Sequence, residues 1–358
     1  MIARLSWLAS GALVTVTSCS VLTSLDGLSA GDTPKQPVEA GSDASPGPSI
    51  EDGGSDATPP KTTRTWRRVD VVGPSARHSM RMVYDESRQR VVLVGGQDKS
   101  SPLSDTWEWD GTAWARVASD GIGGQRMAGL AYDTDRNVTM LFGGAGSPAA
   151  PMAWNGTQWA SSSSNAGPPA AYAPGLVYDS ARKVLVIFGG FRHSTDQDTD
   201  ETWEWSPSTG FSRRTPPVAP SRRTAHAMVY DTARSRTVLF GGVSNSNPSN
   251  ELWEYDGTTW TQRLSSPSPS SRVSPCAAYD SVRRVTVLFG GRMERETSLS
   301  DTWEWDGTTW KSGPSGPPGR RSCAMAFDKA RNAIVMFSGS AGRKNNEAVG
   351  LDDTWVYE

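Results

Sequence analysis

Residues 285–291 read VTVLFGG, and the chain carries five near-copies of that stretch. They are VVLVGG (91–96), VTMLFGG (138–144), VLVIFGG (184–190), TVLFGG (237–242) and a degenerate IVMFSG (334–339). The first glycine of each pair falls at 95, 143, 189, 241 and 290, with Ser338 in its place in the sixth copy. The successive steps are therefore 48, 46, 52, 49 and 48 residues. A fixed period near 50 residues is the mark of a repeat architecture. Runs of Val, Leu, Ile and Phe without polar alternation are strands covered on both faces.

Each unit reads as four strands, a to d. Strand a closes on an aromatic and an aspartate: Tyr84-Asp85, Tyr132-Asp133, Tyr178-Asp179, Tyr230-Asp231, Tyr279-Asp280 and Phe327-Asp328. Strand b is the apolar run before the glycines. Strand c is DTWEWD (105–110), echoed as ETWEW (201–205), ELWEYD (251–256), DTWEWD (301–306) and DTWVY (353–357), with only MAWN (152–155) in unit two. Strand d holds one tryptophan, Trp114, Trp159, Trp260 or Trp310, and Phe211 stands near that place in unit three. Between c and d lies Asp110-Gly111, Asn155-Gly156, Asp256-Gly257 or Asp306-Gly307. Such dipeptides are hairpin signals, because a type I′ turn needs φ > 0 at both central residues.

The ends fit each other. Unit six stops at Glu358 after its strand c, while Thr65–Val69 has strand-d character and no unit of its own. The expectation is an all-β, six-bladed β-propeller of four-stranded antiparallel blades, residues 64–69 completing the last blade and closing the ring. An arginine near the start of strand a, the double glycine and the paired tryptophans resemble the Kelch repeat, as in the central propeller of galactose-oxidase-like proteins. The resemblance covers about residues 64–358. It implies a fold and leaves function open, since propellers host enzymes, adaptors and lectins.

Two arginine columns run through the repeats. In the a–b turn an arginine follows each Asp by three: Arg88, Arg136, Arg182, Arg234, Arg283 and Arg331. This reads as a turn opened by Asp and closed by an ion-pairing Arg. The other column opens strand a: Arg77, Arg126, Arg223, Arg272 and Arg320, with none in unit three. In Kelch propellers strand a is innermost, so these side chains are candidates for a cationic ring at the channel mouth, suited to carboxylate or phosphate. The alternative is pairing with the acid that opens strand c: Asp105, Glu201, Glu251, Asp301 or Asp353.

No reading of the remaining residues yields a catalytic group. The three histidines, His78, His193 and His226, do not share a column. The two histidines and two tyrosines of a galactose-oxidase copper site do not gather in any loop, and no Cys/His cluster has zinc spacing. Metal and cofactor are both expected to be none. DGTTW (306–310) sets Gly directly after Asp, unlike the sialidase Asp-box, and nucleophile elbows and phosphate loops are missing. The tryptophans, at fixed repeat positions, read as inter-blade packing. Cys276 and Cys323 lie in strands a of units five and six with opposite parity. They are a possible disulfide, and two buried thiols are the alternative. The sequons at Asn137 and Asn155 carry little weight.

The b–c connections vary while the strands do not: 97–104, 191–200, 243–250, 292–300 and 341–352. Variable loops on a rigid frame are where binding resides. The candidate binding face is thus the b–c face, with Arg192, His193, Arg292, Arg295, Arg343 and Lys344 as its polar groups. Solvated loop tips are the plain alternative.

The first residues, MIARLSWLASGALVTVTSC, have a basic start at Arg4 and an apolar run too short for a permanent membrane span. Val16-Thr17-Ser18-Cys19 resembles the bacterial lipobox, and that resemblance implies cleavage before Cys19 and its lipidation. The alternative is a plain secretory signal cut later, for instance after Ala30. Ser20 suggests outer-membrane sorting. Residues 20–63, rich in Pro, Gly, Ser and Asp, read as a disordered linker. Residues 31–60 hold six acids and one base, whereas 61–358 carry about three surplus positive charges. A net charge of −2 gives no global pull toward nucleic acid or an anionic membrane. The expected protein is a monomeric, non-enzymatic binding scaffold at the cell envelope. Its partner is a protein or glycan, and its membrane contact runs only through the lipid. The alternative is a carbohydrate-active or other enzyme working at the channel mouth.

Overall fold

A computed structural model describes residues 64–358, except 100, 146–149, 163–166, 169–170, 193, 245–246, 294–296 and 345–346, together with the side chains of 343, 344, 347 and 348. The leader, Cys19 and the linker lie outside the described residues.

Six four-stranded antiparallel sheets form the blades of a β-propeller. Blade one is Arg81–Asp85, Arg90–Val94, Thr106–Trp109 and Trp114–Ala118, in the order a-b-c-d from the axis outward. Blades two to five repeat it. In blade six the order is Ala324–Asp328, Ala333–Phe337, Thr354–Tyr357 and then Trp66–Val69, so the first strand of the domain becomes the last strand of the last blade. Trp66 pairs with Tyr357 and Val69 with Thr354, and Thr65 and Glu358 exchange backbone hydrogen bonds of 2.8 and 3.1 Å. The ring thereby closes without a free strand edge at the seam.

The apolar runs of strand b are the driest part of the molecule: Val91, Val92, Leu93, Met140, Val186, Leu239, Val287, Leu288, Ile334 and Met336 are all buried. Six apolar clusters lie between neighbouring blades. In them the c and d aromatics pack in pairs, such as Trp109–Trp114 with ring centroids 5.4 Å apart, Trp305–Trp310 at 5.6 Å and Tyr255–Trp260 at 5.0 Å.

The double glycine has a backbone cause. Its first member sits at φ +60 to +73° in blades one to five, and a Cβ on Gly95 would lie 2.4 Å from the Gln125 carbonyl oxygen of the next blade. In blade six Ser338 takes the same left-handed conformation at φ 58°, its hydroxyl held by the carbonyls of Arg77 and Leu351.

Candidate functional site

The motif that opens strand c assigns a task to every residue. In DTWEWD of blade one, Asp105 accepts a forked pair of bonds from Arg77 at 2.6 and 2.9 Å and a third from its own Trp107 Nε1 at 2.7 Å. Thr106 Oγ1 accepts from Trp159 Nε1 of the next blade at 2.9 Å. Glu108 receives Arg88 of the a–b turn and Trp154 Nε1 of the next blade. Trp109 enters the core, and Asp110 caps the hairpin through the amides of Thr112 and Ala113 at 2.7 and 2.8 Å.

The strand-a arginines are built into this frame. Arg77, Arg223, Arg272 and Arg320 are at most 1 % exposed. Each bonds its blade's acid (Asp105, Glu251, Asp301 or Asp353) and the carbonyl of residue 95, 241, 290 or 338. Burial alone would raise the carboxyls of Asp105, Asp301 and Asp353, yet the guanidinium fork holds each below its ordinary range. Blade three, lacking a strand-a arginine, recruits Arg192 from its b–c connection, which pairs with Glu201.

Arg126 does not belong to this column. The column residue stands eight before the strand-a Asp, and in blade two that residue is the buried Gln125, whose amide donates to the Ile122 carbonyl at 2.9 Å. Arg126 stands one place later and bonds the Gln97 side chain instead. Its level in the fold is that of His78, Tyr172, Thr224, Val273 and Arg321. The charges of Arg321 and Arg126 act on His78, whose pKa is lowered first by burial and then by those two cations. Two cations, Arg126 and Arg321, therefore share a level on the b–c side, one residue further along than the column expected.

Below the mouth, Ser79, Met127, Ala173, Ala225, Ser274 and Ser322 all have φ between 49 and 61°. Five backbone bonds of 2.7–3.0 Å join consecutive members of this ring: Met127 to Ser79, Ala173 to Met127, Ser274 to Ala225, Ser322 to Ser274 and Ser79 to Ser322. Cys276 and Cys323 lie just beneath it and form a disulfide between the innermost strands of blades five and six, with Cα atoms 5.7 Å apart. An apolar layer of Met82, Leu130, Leu176, Met228, Ala277 and Met325 then crosses the channel. Beyond it a wider bowl of about 250 Å³ opens on the turn face, lined by Tyr84, Tyr132, Tyr178, Tyr230, Tyr279 and Phe327. The tyrosine hydroxyls are spent on the preceding blade; Tyr230, for example, donates to Asp179 at 2.6 Å, and burial followed by that carboxylate pushes its pKa up to about 12.

Three of the b–c connections are small β-ribbons, which the alternation of the sequence did not reveal. They are Phe191–Arg192 with Gln197–Asp198, Val243–Ser244 with Asn247–Pro248, and the longer Ser340–Lys344 with Glu347–Gly350. Arg192 is committed to Glu201, and Arg292 is half-buried at the foot of its connection, bridged to Val273 and Ser298. His193 and Arg295 lie outside the described residues, as do the side chains of Arg343 and Lys344 in the blade-six ribbon. Among the described residues seven large apolar side chains are exposed: Val72, Val218, Leu264, Met293 and Val349 belong to the b–c or d–a segments of this one face, and Val117 and Val282 lie elsewhere. Among the described residues there is no group of three or more His, Cys, Asp or Glu positioned for a metal ion, and no helix long and apolar enough to cross a membrane.

A family model for the Kelch-repeats domain of KLHDC2, KLHL20 and DRC7 matches residues 152–311, from strand c of blade two into strand d of blade five. No curated protein matches the chain. Kelch propellers are commonly protein-interaction scaffolds. Blades one and six, outside the match, have the same left-handed bend after strand b, Arg–acid pair and Asp–Arg turn as the matched blades four and five, and the chain is accordingly a Kelch-repeat β-propeller.

Proposed function

We propose that this protein is a non-enzymatic interaction scaffold, tethered at the cell envelope through lipidated Cys19, that meets a partner protein or glycan with its b–c face. One observation carries the reading: the repeated charged groups of the frame are consumed inside it, while unlike ribbons and five of the seven exposed large apolar residues share one face. Exposed apolar side chains among charged, variable loops on one face suit a protein contact. Arg292, Arg343 and Lys344, with His193 and Arg295, are the polar groups assigned to that contact.

The test is cross-linking of the full chain in envelope preparations and against a glycan array. Two variants are compared, Met293→Ser with Arg292→Glu on the b–c face and Lys329→Glu with Glu86→Lys on the turn face. Loss of the cross-linked partner in the first variant alone is the expected result. Loss in the second alone overturns the face assignment. For the tether, labelled palmitate is expected in the wild type and not in Cys19→Ala; equal labelling removes the lipid from the reading.

A further inference from the structure

Strand a of blade one carries an arginine where the other five blades carry almost nothing. Counted from the strand-a Asp, Arg81 occupies the position of Gly129, Gly175, Ala227, Cys276 and Ala324. Its side chain lines an axial chamber of about 130 Å³ between the hydrogen-bonded ring and the apolar layer. Every column arginine has a carboxylate; Arg81 has one hydrogen bond, to the adjacent Met80 carbonyl at 3.2 Å, and no ion pair among the described residues. Burial lowers its pKa to about 10, which still leaves it a cation at neutral pH.

His226 lines the same chamber. It is 8 % exposed, and neither ring nitrogen has a hydrogen-bond partner. Burial, with the charges of Arg223 and Arg81 added, lowers its pKa to about 3, so the ring is neutral and offers one N–H. Arg81, half-buried and without a carboxylate, therefore shares a chamber with an imidazole that is buried and unsatisfied, which is costly for the imidazole. The group that satisfies both at once is an anion with several acceptor oxygens.

We propose that the axial chamber of this propeller is a binding site for a compact oxyanion, with Arg81 supplying the charge and His226 an N–H donor. Ser274 and Ser322, which line the same wall, add hydroxyls. A chamber of about 130 Å³ has room for an ion the size of phosphate, sulfate or a short carboxylate. The site is separate from the face assigned to the partner, so either can fail alone.

The experiment titrates the full chain with inorganic phosphate, sulfate and acetate by calorimetry, with thermal unfolding in parallel. Saturable single-site binding of at least one ion and a rising unfolding midpoint are expected. Arg81→Ala restores the residue of blades four and six and is expected to fold. It should bind at least about tenfold more weakly, the scale of one charge-assisted hydrogen bond lost. Arg81→Met keeps the volume without the charge and gives the same reading if the alanine variant does not fold. Binding equal to wild type in a folded Arg81 variant overturns the assignment, and so does a wild type that binds none of the three ions at millimolar concentration.

Discussion

Single residues show how closely the repeat is enforced, because each departure leaves a visible orphan. The strand-d tryptophan of one blade donates to the strand-c threonine of the blade before, as Trp260 does to Thr202 and Trp114 to Thr354. Blade four has Leu252 where that threonine belongs, and Trp310 Nε1 of blade five is buried without a partner. In the same way Ala153 stands where blades one, three, four and five have the strand-c glutamate, and Trp205 Nε1 is orphaned; Arg136 lies over the Trp205 ring instead, 5.1 Å from its centre. Supplying the missing acceptor gives the first prediction. Leu252→Thr should be more stable than the isosteric Leu252→Val by about 1 kcal/mol, one net hydrogen bond. Chemical denaturation decides it, since a buried threonine without such a donor would rank below valine. His226 supplies the second. Its pKa in the fold is about 3, below the unfolded value of 6.5. The unfolded chain then binds a proton that the fold refuses, and stability falls as the pH drops below 6.5, by about 1.4 kcal/mol per unit until roughly pH 3. His226→Met, the residue of blade one at that position, should flatten the slope between about pH 6.5 and 4.5. A slope identical to wild type would remove His226 as its cause.

At the scale of strands and turns, much was legible. The apolar runs, the Asp-Gly hairpins and the unmatched ends gave the blade count, the strand order and the closure, because each depends on local chemistry repeated in phase. Contacts between blades were not legible, since the partners lie about one period apart. The c–d glycine is an example. It reads as a turn residue, yet it is also the floor on which the previous blade's a–b arginine rests. A Cβ on Gly307 would meet Arg234 Nε at 2.6 Å, and one on Gly257 would meet Arg182 Nε at the same distance. Arg234 cannot easily yield, being held by Asp231 at 2.8 Å and Glu254 at 2.5 Å. Gly307→Ala, at φ +95°, should therefore cost about 1–2 kcal/mol, read as a lower urea midpoint. A neutral result would mean that the turn face is looser than these contacts imply. The arginine ring was half-legible. Its acids were identified, but Arg126 is one residue out of phase, and Arg192 enters the frame from a connection read only as a binding loop. Arg81 was missed; its signal in the sequence is a lone large residue in a column of small ones, carried by the exception and not by the repeat.

For the ring as a whole, closure rests on two fasteners. The strand seam in blade six is one, and the Cys276–Cys323 bond beside it, spanning 47 residues of sequence, is the other. Cross-linking a loop of that length in the unfolded chain contributes up to about 4 kcal/mol by the chain-entropy argument. Reducing agent should lower the denaturation midpoint of wild type and leave Cys276→Ala/Cys323→Ala unmoved; equal responses would mean that the bond holds nothing. The seam also sets a direction. Strand Trp66–Val69 runs from the turn face toward the ribbons, and Arg64 just before it is fixed at the turn face by Asn332 and Asp280. Arg64 and the start of the closing strand therefore belong to the turn face, so a reporter fixed at Arg64 would sit on the side of the blades away from the ribbons.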